Sequence, residues 1–278
     1  MEIAPLQQSA PYATAMMALG VPTHRIGPAL SLHRRVPLLG DLTYLPRATC
    51  PGDLPPGPCL INAPDPAADT RHHAAGHIPV MTPQIMAVLD LRPDDPARMA
   101  AQHGKWRNRL RRAAAAPLKT HACRFDPARH GWLLDHETHQ RKTRRYRALP
   151  HTFTCAYPCD QTLLLTATRK NRPVAAMLFL LHAPGATYHI GWSNPEGHAL
   201  NAHTLLLWRA SQILRTRSVT HLELGPLDTR TAPGLARFKL GSGAIPVKLG
   251  HTWLSLPVLS PLLRTFRHWG GFPSGLFG

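Results

Sequence analysis

Acidic residues are scarce in this 278-residue chain. Only 15 Asp and Glu stand against 32 Lys and Arg, a formal net charge of +17, with 18 histidines besides. A field of that sign attracts polyanions: nucleic acid, an anionic membrane surface or a phosphorylated substrate. Long hydrophobic runs are missing too. The longest strongly apolar stretch, VAAMLFLL (174–181), is far too short to span a bilayer. The first twenty residues, MEIAPLQQSAPYATAMMALG, carry no basic leader and no uninterrupted apolar core, which argues against a signal peptide. A soluble cytoplasmic protein is the expectation. The aromatic stretch Phe266 to Phe277, with basic residues nearby, leaves peripheral membrane contact open.

Cysteines are few, odd in number and scattered: Cys50, Cys59, Cys123, Cys155 and Cys159. That is not a secreted disulfide scaffold. The usual chemical signatures are also missing. There is no G-x-S-x-G, and no cysteine stands in a recognisable reactive context. GSGAIPVK (241–248) has a lysine but lacks Walker A spacing. HHAAGH (72–77) and CAYPC (155–159) lack the two-residue spacing of a zinc knuckle, and HETHQ (136–140) has Gln140 where H-E-x-x-H needs its second histidine. No metal site is therefore expected. An RNA-reading sheet needs exposed aromatics. Tyr188 and Trp192, expected on one face of a strand, are better explained by core packing.

What is present is enough chain for two medium domains or one large one, and 44% apolar residues to fill a core. The 29 prolines and 20 glycines predict many loops and short elements. SLHRRVPLLGDLTYLPRA (31–48) reads as two strands joined near Gly40-Asp41, and TPQIMAVLDLRP (82–93) as a short helix or strand. The stretch from Asp95 to Ala116 reads as one helix despite Gly104, with Asp95 as N-cap and Pro96 at the first position. Strands are expected at 162–168, 173–182 and 186–192, turning at Lys170-Asn171 and Pro184-Gly185. A helix follows at 199–217, then a strand at 218–225, a helix at 232–241 and a strand at 244–250, with a further helix around 258–268. The order is an antiparallel meander followed by helical crossovers.

Positive charge concentrates between residues 104 and 147, where 13 Lys and Arg face Asp126, Asp135 and Glu137. It falls in two clusters, KWRNRLRR (105–112) and RKTRRYR (141–147), each of which is a solvated surface or a phosphate contact. One further cation stands apart. Lys239 ends a short helix beside Phe238, before Gly241, so that it could point into a cleft beside the sheet. A fixed lysine stabilises an oxyanion by charge, as acyl transfer to an amine requires.

The whole pattern resembles the Fem-type peptidoglycan-bridge aminoacyltransferases and related acyl-CoA-dependent N-acyltransferases. KWRNRLRRA (105–113), GATYHIGWSN (185–194), ALNAHTLLLWRASQILR (199–215), HLELGPLD (221–228) and GLARFKLGSGAIPVKLG (234–250) carry the resemblance, which is good over 104–253 and weak over 1–103. It implies an α+β chain with a tandem Gcn5-related N-acyltransferase-like fold, a mixed sheet with flanking helices, and a reduced first copy. The domains would be 1–103 and 104–278. Lys239, Phe238 and Glu223 would be catalytic. Lys105, Arg107, Arg109, Arg144 and Arg145 would meet phosphates of the donor, and Tyr188, Trp192 and Ser193 would line the substrate cleft. The implied activity is transfer of an acyl or aminoacyl group from aminoacyl-tRNA or acyl-CoA to an amine on a small molecule, peptide or lipid. No resident cofactor is implied. The sequence departs from the family at Glu223, which replaces an aspartate, and at Pro226, which replaces a glycine. EGHALN (196–201) also stands where acetyl-CoA enzymes carry their pyrophosphate loop. The alternative is a basic RNA-binding protein without catalysis.

Overall fold

The computed structural model describes residues 3–37, 40–50, 52–144, 146 and 148–256. The expected helix around 258–268, the aromatic tail and Arg145 lie outside these residues. In chain order the first elements are α1 (Ala10–Ala18), β1 (Thr23–Ile26), β2 (Ala29–Val36), β3 (Gly40–Leu45), β4 (Cys59–Asn62), α2 (Ala67–Ala74), β5 (Ile78–Met81) and β6 (Ile85–Asp90). Then come α3 (Asp95–Ala101), α4 (Gly104–Ala115), β7 (Lys119–Cys123), α5 (Pro127–Arg144), α6 (His151–Ala156), β8 (Thr162–Arg169), β9 (Arg172–His182) and β10 (Gly185–Ser193). The last are α7 (Pro195–Ala199), α8 (Ala202–Thr216), β11 (His221–Pro226), α9 (Pro233–Gly241), β12 (Ile245–Lys248) and β13 (Thr252–Ser255).

Two compact units result, each with its own mixed sheet and flanking helices. One comprises Met1–Leu19 with Ile85–Val247, the other Gly20–Gln84 with the chain from Lys248. They are not the consecutive blocks 1–103 and 104–278. β6 pairs antiparallel with β11, setting Leu89 opposite Leu222 and Val88 opposite Glu223, so residues 85–90 complete the larger sheet. β13 pairs with β4 and β5, returning the chain to the smaller one. The strand option for residues 82–93 is the observed one.

The larger sheet has the order β12-β6-β11-β10-β9-β8-β7. The expected meander forms β8, β9 and β10, and its first turn has Lys170 and Asn171 at φ 49° and 60°. Residues of opposite parity fill two cores. Leu163, Leu165 and Met177 face α4 and α8, against Trp106, Leu110, Leu206 and Leu214. Leu164, Ala176 and Leu178 face α5, against Leu133 and Leu134. Each such leucine, fully buried, stabilises the fold by roughly 1.5–3 kcal/mol. The smaller sheet has the order β1-β2-β3-β4-β13-β5, parallel only between β3 and β4.

The helix expected from Asp95 onward is two helices. Asp94, not Asp95, is the N-cap, accepting from the Ala97 N–H at 2.9 Å. Asp95 instead pairs with Arg98 and accepts from Gln212. Gln102 and His103 are extended, and His103 Nδ1 caps the second helix at the Lys105 N–H. A side-chain cap inside the run competes with continued helix, which periodicity alone does not register.

Candidate active site: a fork between two parallel strands

β10 and β11 are joined by α8, so they run parallel, and they pair for only three residues: Gly185–His221, Ala186–Leu222 and Thr187–Glu223. Beyond Thr187, β10 continues to Ser193 while β11 continues to Pro226, and the strands part. The fork opens at Tyr188.

A bulge sits at the same place. Tyr188 pairs with Phe179 but Ile190 pairs with Leu178, leaving His189 as the extra residue. The inserted residue reverses the alternation of faces. Tyr188 packs with the α4–α8 core and lies 5.7 Å from Phe179, whereas Trp192 joins the α5 core. Tyr188 and Trp192 are therefore on opposite faces, not on one. Gly191 makes room for Tyr188, because a Cβ there would overlap the Tyr188 hydroxyl. Burial pushes that hydroxyl's pKa well up, with the Tyr146 hydroxyl adding in the same direction and Arg144 opposing.

Lys239 belongs to the other prong. It lies in the last turn of α9, is only 4% exposed, and its Nζ donates to the Pro226 carbonyl at 2.8 Å. Burial lowers its pKa from 10.5 to about 8. A second irregularity, between Glu223 and Pro226 against β6, precedes that carbonyl. Phe238 is half-buried, 6.3 Å from Trp106 and 6.5 Å from His203. His203 is hydrogen-bonded through Nε2 to the Trp192 carbonyl at 2.8 Å, and its pKa is lowered by burial. Glu223 is 2% exposed and, by alternation, faces away from Leu222 and Leu224 of the α4–α8 core.

The other expected site residues fare differently. Trp192 stacks on His136, with centroids 4.4 Å apart, and meets Trp132 edge-on. The Ser193 hydroxyl is 3.3 Å from the Val174 and Asn194 carbonyls and ties down the strand end. Arg107 donates to the carbonyls of Ala100 and Gln102, both at 3.1 Å, and of Met99 at 3.4 Å, so it caps the C-terminus of α3. Lys105 and Arg109 are exposed on α4. Arg144 ends α5, and its charge acts on both Tyr188 and His203.

Sequence reasoning missed one constellation. Glu137 is 3% exposed on α5; its carboxylate is held by His151, accepts from Tyr146 Oη at 3.1 Å, and has Arg141 at 4.0 Å. Gln140 donates to both Tyr146 Oη and the Gly191 carbonyl at 3.2 Å, carrying the network to the strand beside Tyr188. His189 is hydrogen-bonded to Thr154 at 2.8 Å, and burial, assisted by His151, lowers its pKa to about 4. The signal was available: Leu133, Leu134 and Glu137 follow helical spacing, so a glutamate occupies a core position.

No protein-family model and no curated protein matches the chain. Solved structures do. FemX superposes with a TM-score of 0.73 at 11% identity, covering 94% of this chain and 95% of FemX. The C-terminal domain of a putative lysylphosphatidylglycerol synthetase from Agrobacterium fabrum gives 0.57 at 12% identity, covering 98% and 96%. A tandem GNAT protein from the clavulanic acid biosynthesis pathway gives 0.50 at 13% identity, covering 84% and 81%. These likenesses show the fold, a tandem GNAT- and FemAB-like arrangement of two mixed sheets. Among the described residues, no helix is long and apolar enough to cross a membrane.

Proposed function

We propose that the chain is an N-acyltransferase, moving an activated acyl or aminoacyl group from acyl-CoA or aminoacyl-tRNA to an amine. One observation carries this reading: a buried ammonium, Lys239, held beside the end of β11 where that strand has left β10. With a pKa of about 8, the group is mostly protonated at neutral pH. It makes its hydrogen bond to Pro226 through one N–H, and an ammonium has two more to offer an oxyanion. In a site shielded from water such a charge acts far more strongly than in solution.

The reaction needs no covalent enzyme intermediate. The acceptor nitrogen attacks the carbonyl carbon, a C–N bond forms, and the C=O electron pair moves onto oxygen opposite Lys239. The oxyanion then collapses and the C–S bond of a thioester, or the C–O bond of a tRNA ester, breaks. The amine proton passes to Glu223, His189 or water and finally reaches the leaving group; His221, opposite Gly185 at the closed end of the pair, stands away from the fork. Phe238 and Tyr188 form the apolar surround. Arg144, Lys105 and Arg109 supply charge for the polyanionic donor, and Arg145 is assigned there from its place in the same cluster. The acceptor is a small-molecule, peptide or lipid-linked amine. Cytoplasmic work at a membrane surface fits the last of these.

A donor panel tests the proposal. Purified full chain is given charged tRNAs and acyl-CoAs with amine acceptors, and amide products are sought by mass spectrometry. Amide formation from one donor class is expected. RNA affinity that falls with salt, together with no amide from either class, would replace this reading with a binding protein.

A further inference from the structure

The spacing that excluded zinc from HHAAGH is undone by a turn. α2 ends at Ala74, and Gly76 takes a positive φ of 75°, a conformation that a β-carbon would oppose. The Gly76 N–H then donates to the His73 carbonyl at 3.1 Å, and the His77 N–H to the His72 carbonyl at 3.1 Å. This pair of bonds is the Schellman closure. It folds residue 77 back over residue 72, so two histidines five apart in sequence meet side by side. Their Nδ1 atoms are 3.0 Å apart. Both rings are buried, at 1% and 4% exposure. One proton suffices for a hydrogen bond between two Nδ1 atoms, so at least one ring directs a lone pair into the gap.

A third donor completes the group. Cys50 lies in the irregular connector between β3 and β4, and one ligand atom from each of Cys50, His72 and His77 falls within 4.8 Å of the other two. The rings are held by their surroundings. Trp253 stacks on His72 at 5.5 Å with an interplanar angle of 19°. Asp69, one turn before His72 on α2, accepts from Trp253 Nε1 at 2.8 Å and from the His251 N–H at 2.9 Å, fastening α2 to the β13 region. His72 Nε2, on the far side of the ring from Nδ1, is buried with no hydrogen-bond partner among the described residues.

We propose that Cys50, His72 and His77 bind a zinc ion, a site in the smaller unit distinct from the fork. The donor set, two imidazoles and a thiolate, suits zinc. Tetrahedral bonds of about 2.0 Å to nitrogen and about 2.3 Å to sulfur require edges of roughly 3.3 Å between nitrogens and roughly 3.5 Å from nitrogen to sulfur. The nitrogens need to separate by a few tenths of an ångström. The farthest pair of ligand atoms needs to close by at most about 1.3 Å from its 4.8 Å limit. A water fills the fourth position. The ion would tie Cys50 of the β3–β4 connector to the turn after α2, so that metal binding adds to stability.

Cobalt(II) is the spectroscopic probe. The full chain is stripped of metal, kept reduced with a non-thiol reductant and titrated with Co²⁺. The expected result is saturation at one equivalent, tetrahedral visible bands, a sulfur-to-cobalt charge-transfer band, and displacement by Zn²⁺. Cys50→Ser should abolish the charge-transfer band, and His77→Gln should weaken binding at least tenfold. Cys155→Ser, at an exposed thiol, should change neither. Zn²⁺ should raise the melting temperature of the wild type more than that of Cys50→Ser, a readout that does not depend on a His72 variant folding. A charge-transfer band of wild-type intensity in Cys50→Ser, or no saturable site in the wild type, would overturn the proposal.

Discussion

Lys239 Nζ lies 2.8 Å from the carbonyl oxygen of Pro226, three residues beyond the last β11 residue that pairs with β10. A backbone oxygen thus holds the buried ammonium beside the departing strand. Burial has a measurable consequence. The folded pKa is about 8 and the ordinary value 10.5, so between these pH values the unfolded chain binds more protons than the folded one. Native stability therefore rises as pH climbs from about 8 to 10.5, and the burial penalty is fully present below 8. The shift corresponds to a net ~3 kcal/mol against the charged form in the folded site. Lys239→Met should be more stable than wild type at pH 7 in urea denaturation, with the gap closing towards pH 10.5.

The same pKa sets an activity limit. If the charged lysine is the working form, turnover should fall as pH passes about 8. Lys239→Arg, which stays charged, should lose that limb in whatever activity it retains. The check is a kcat profile between pH 6 and about 10.

Gly191→Ala tests the packing of the bulged strand. The new methyl would overlap the Tyr188 hydroxyl and stand 2.8 Å from its Cζ. Destabilisation of about 1–3 kcal/mol is expected from overpacking. Tyr188→Phe in that background should recover part of it, because it removes the nearest atom but not the ring. A thermal-denaturation double-mutant cycle measures the coupling.

Much of the larger sheet was legible in the sequence. The meander showed itself because Lys170-Asn171 and Pro184-Gly185 punctuate runs of apolar residues, and α8 because Leu206, Leu207, Ala210 and Leu214 share a face. Pairing across long chain separations was not legible. Nothing local in IMAVLD says that it lies beside residues 221–226, or that TWLS returns to β4. The bulge at His189 was equally hidden, since one inserted residue leaves composition unchanged while reversing which face Trp192 occupies. Lys239 stood out by its place at the end of a short helix before a glycine, and its catalytic role came from the resemblance. Glu137 was passed over because HETHQ was tested only as a metal motif.

The basic residues divide by what they already hold. Arg107→Ala removes donors from three carbonyls at the end of α3 and should lower stability by about 1–2 kcal/mol. Lys105→Ala and Arg109→Ala, both at exposed positions, should stay within about 0.5 kcal/mol of wild-type stability. If they meet donor phosphates, each should reduce the slope of log affinity against log salt by about one contact. Denaturation and donor titration at several salt concentrations separate the groups.

Glu137→Ala leaves Tyr146 and His151 without their shared acceptor. A loss of about 2–4 kcal/mol is expected for a buried, hydrogen-bonded carboxylate. Glu137→Gln keeps the shape and part of the bonding, so it should lose less. Chemical denaturation of the two variants gives the order.

The central claim is that a positive charge at position 239 stabilises the acyl-transfer oxyanion. Its most direct test is single-turnover amide formation by wild type and Lys239→Ala, with the productive donor saturating and folding verified by circular dichroism. A fall of about 10²–10³-fold in the chemical step, with the fold intact, is the predicted result. An unchanged rate in a folded Lys239→Ala protein would contradict it.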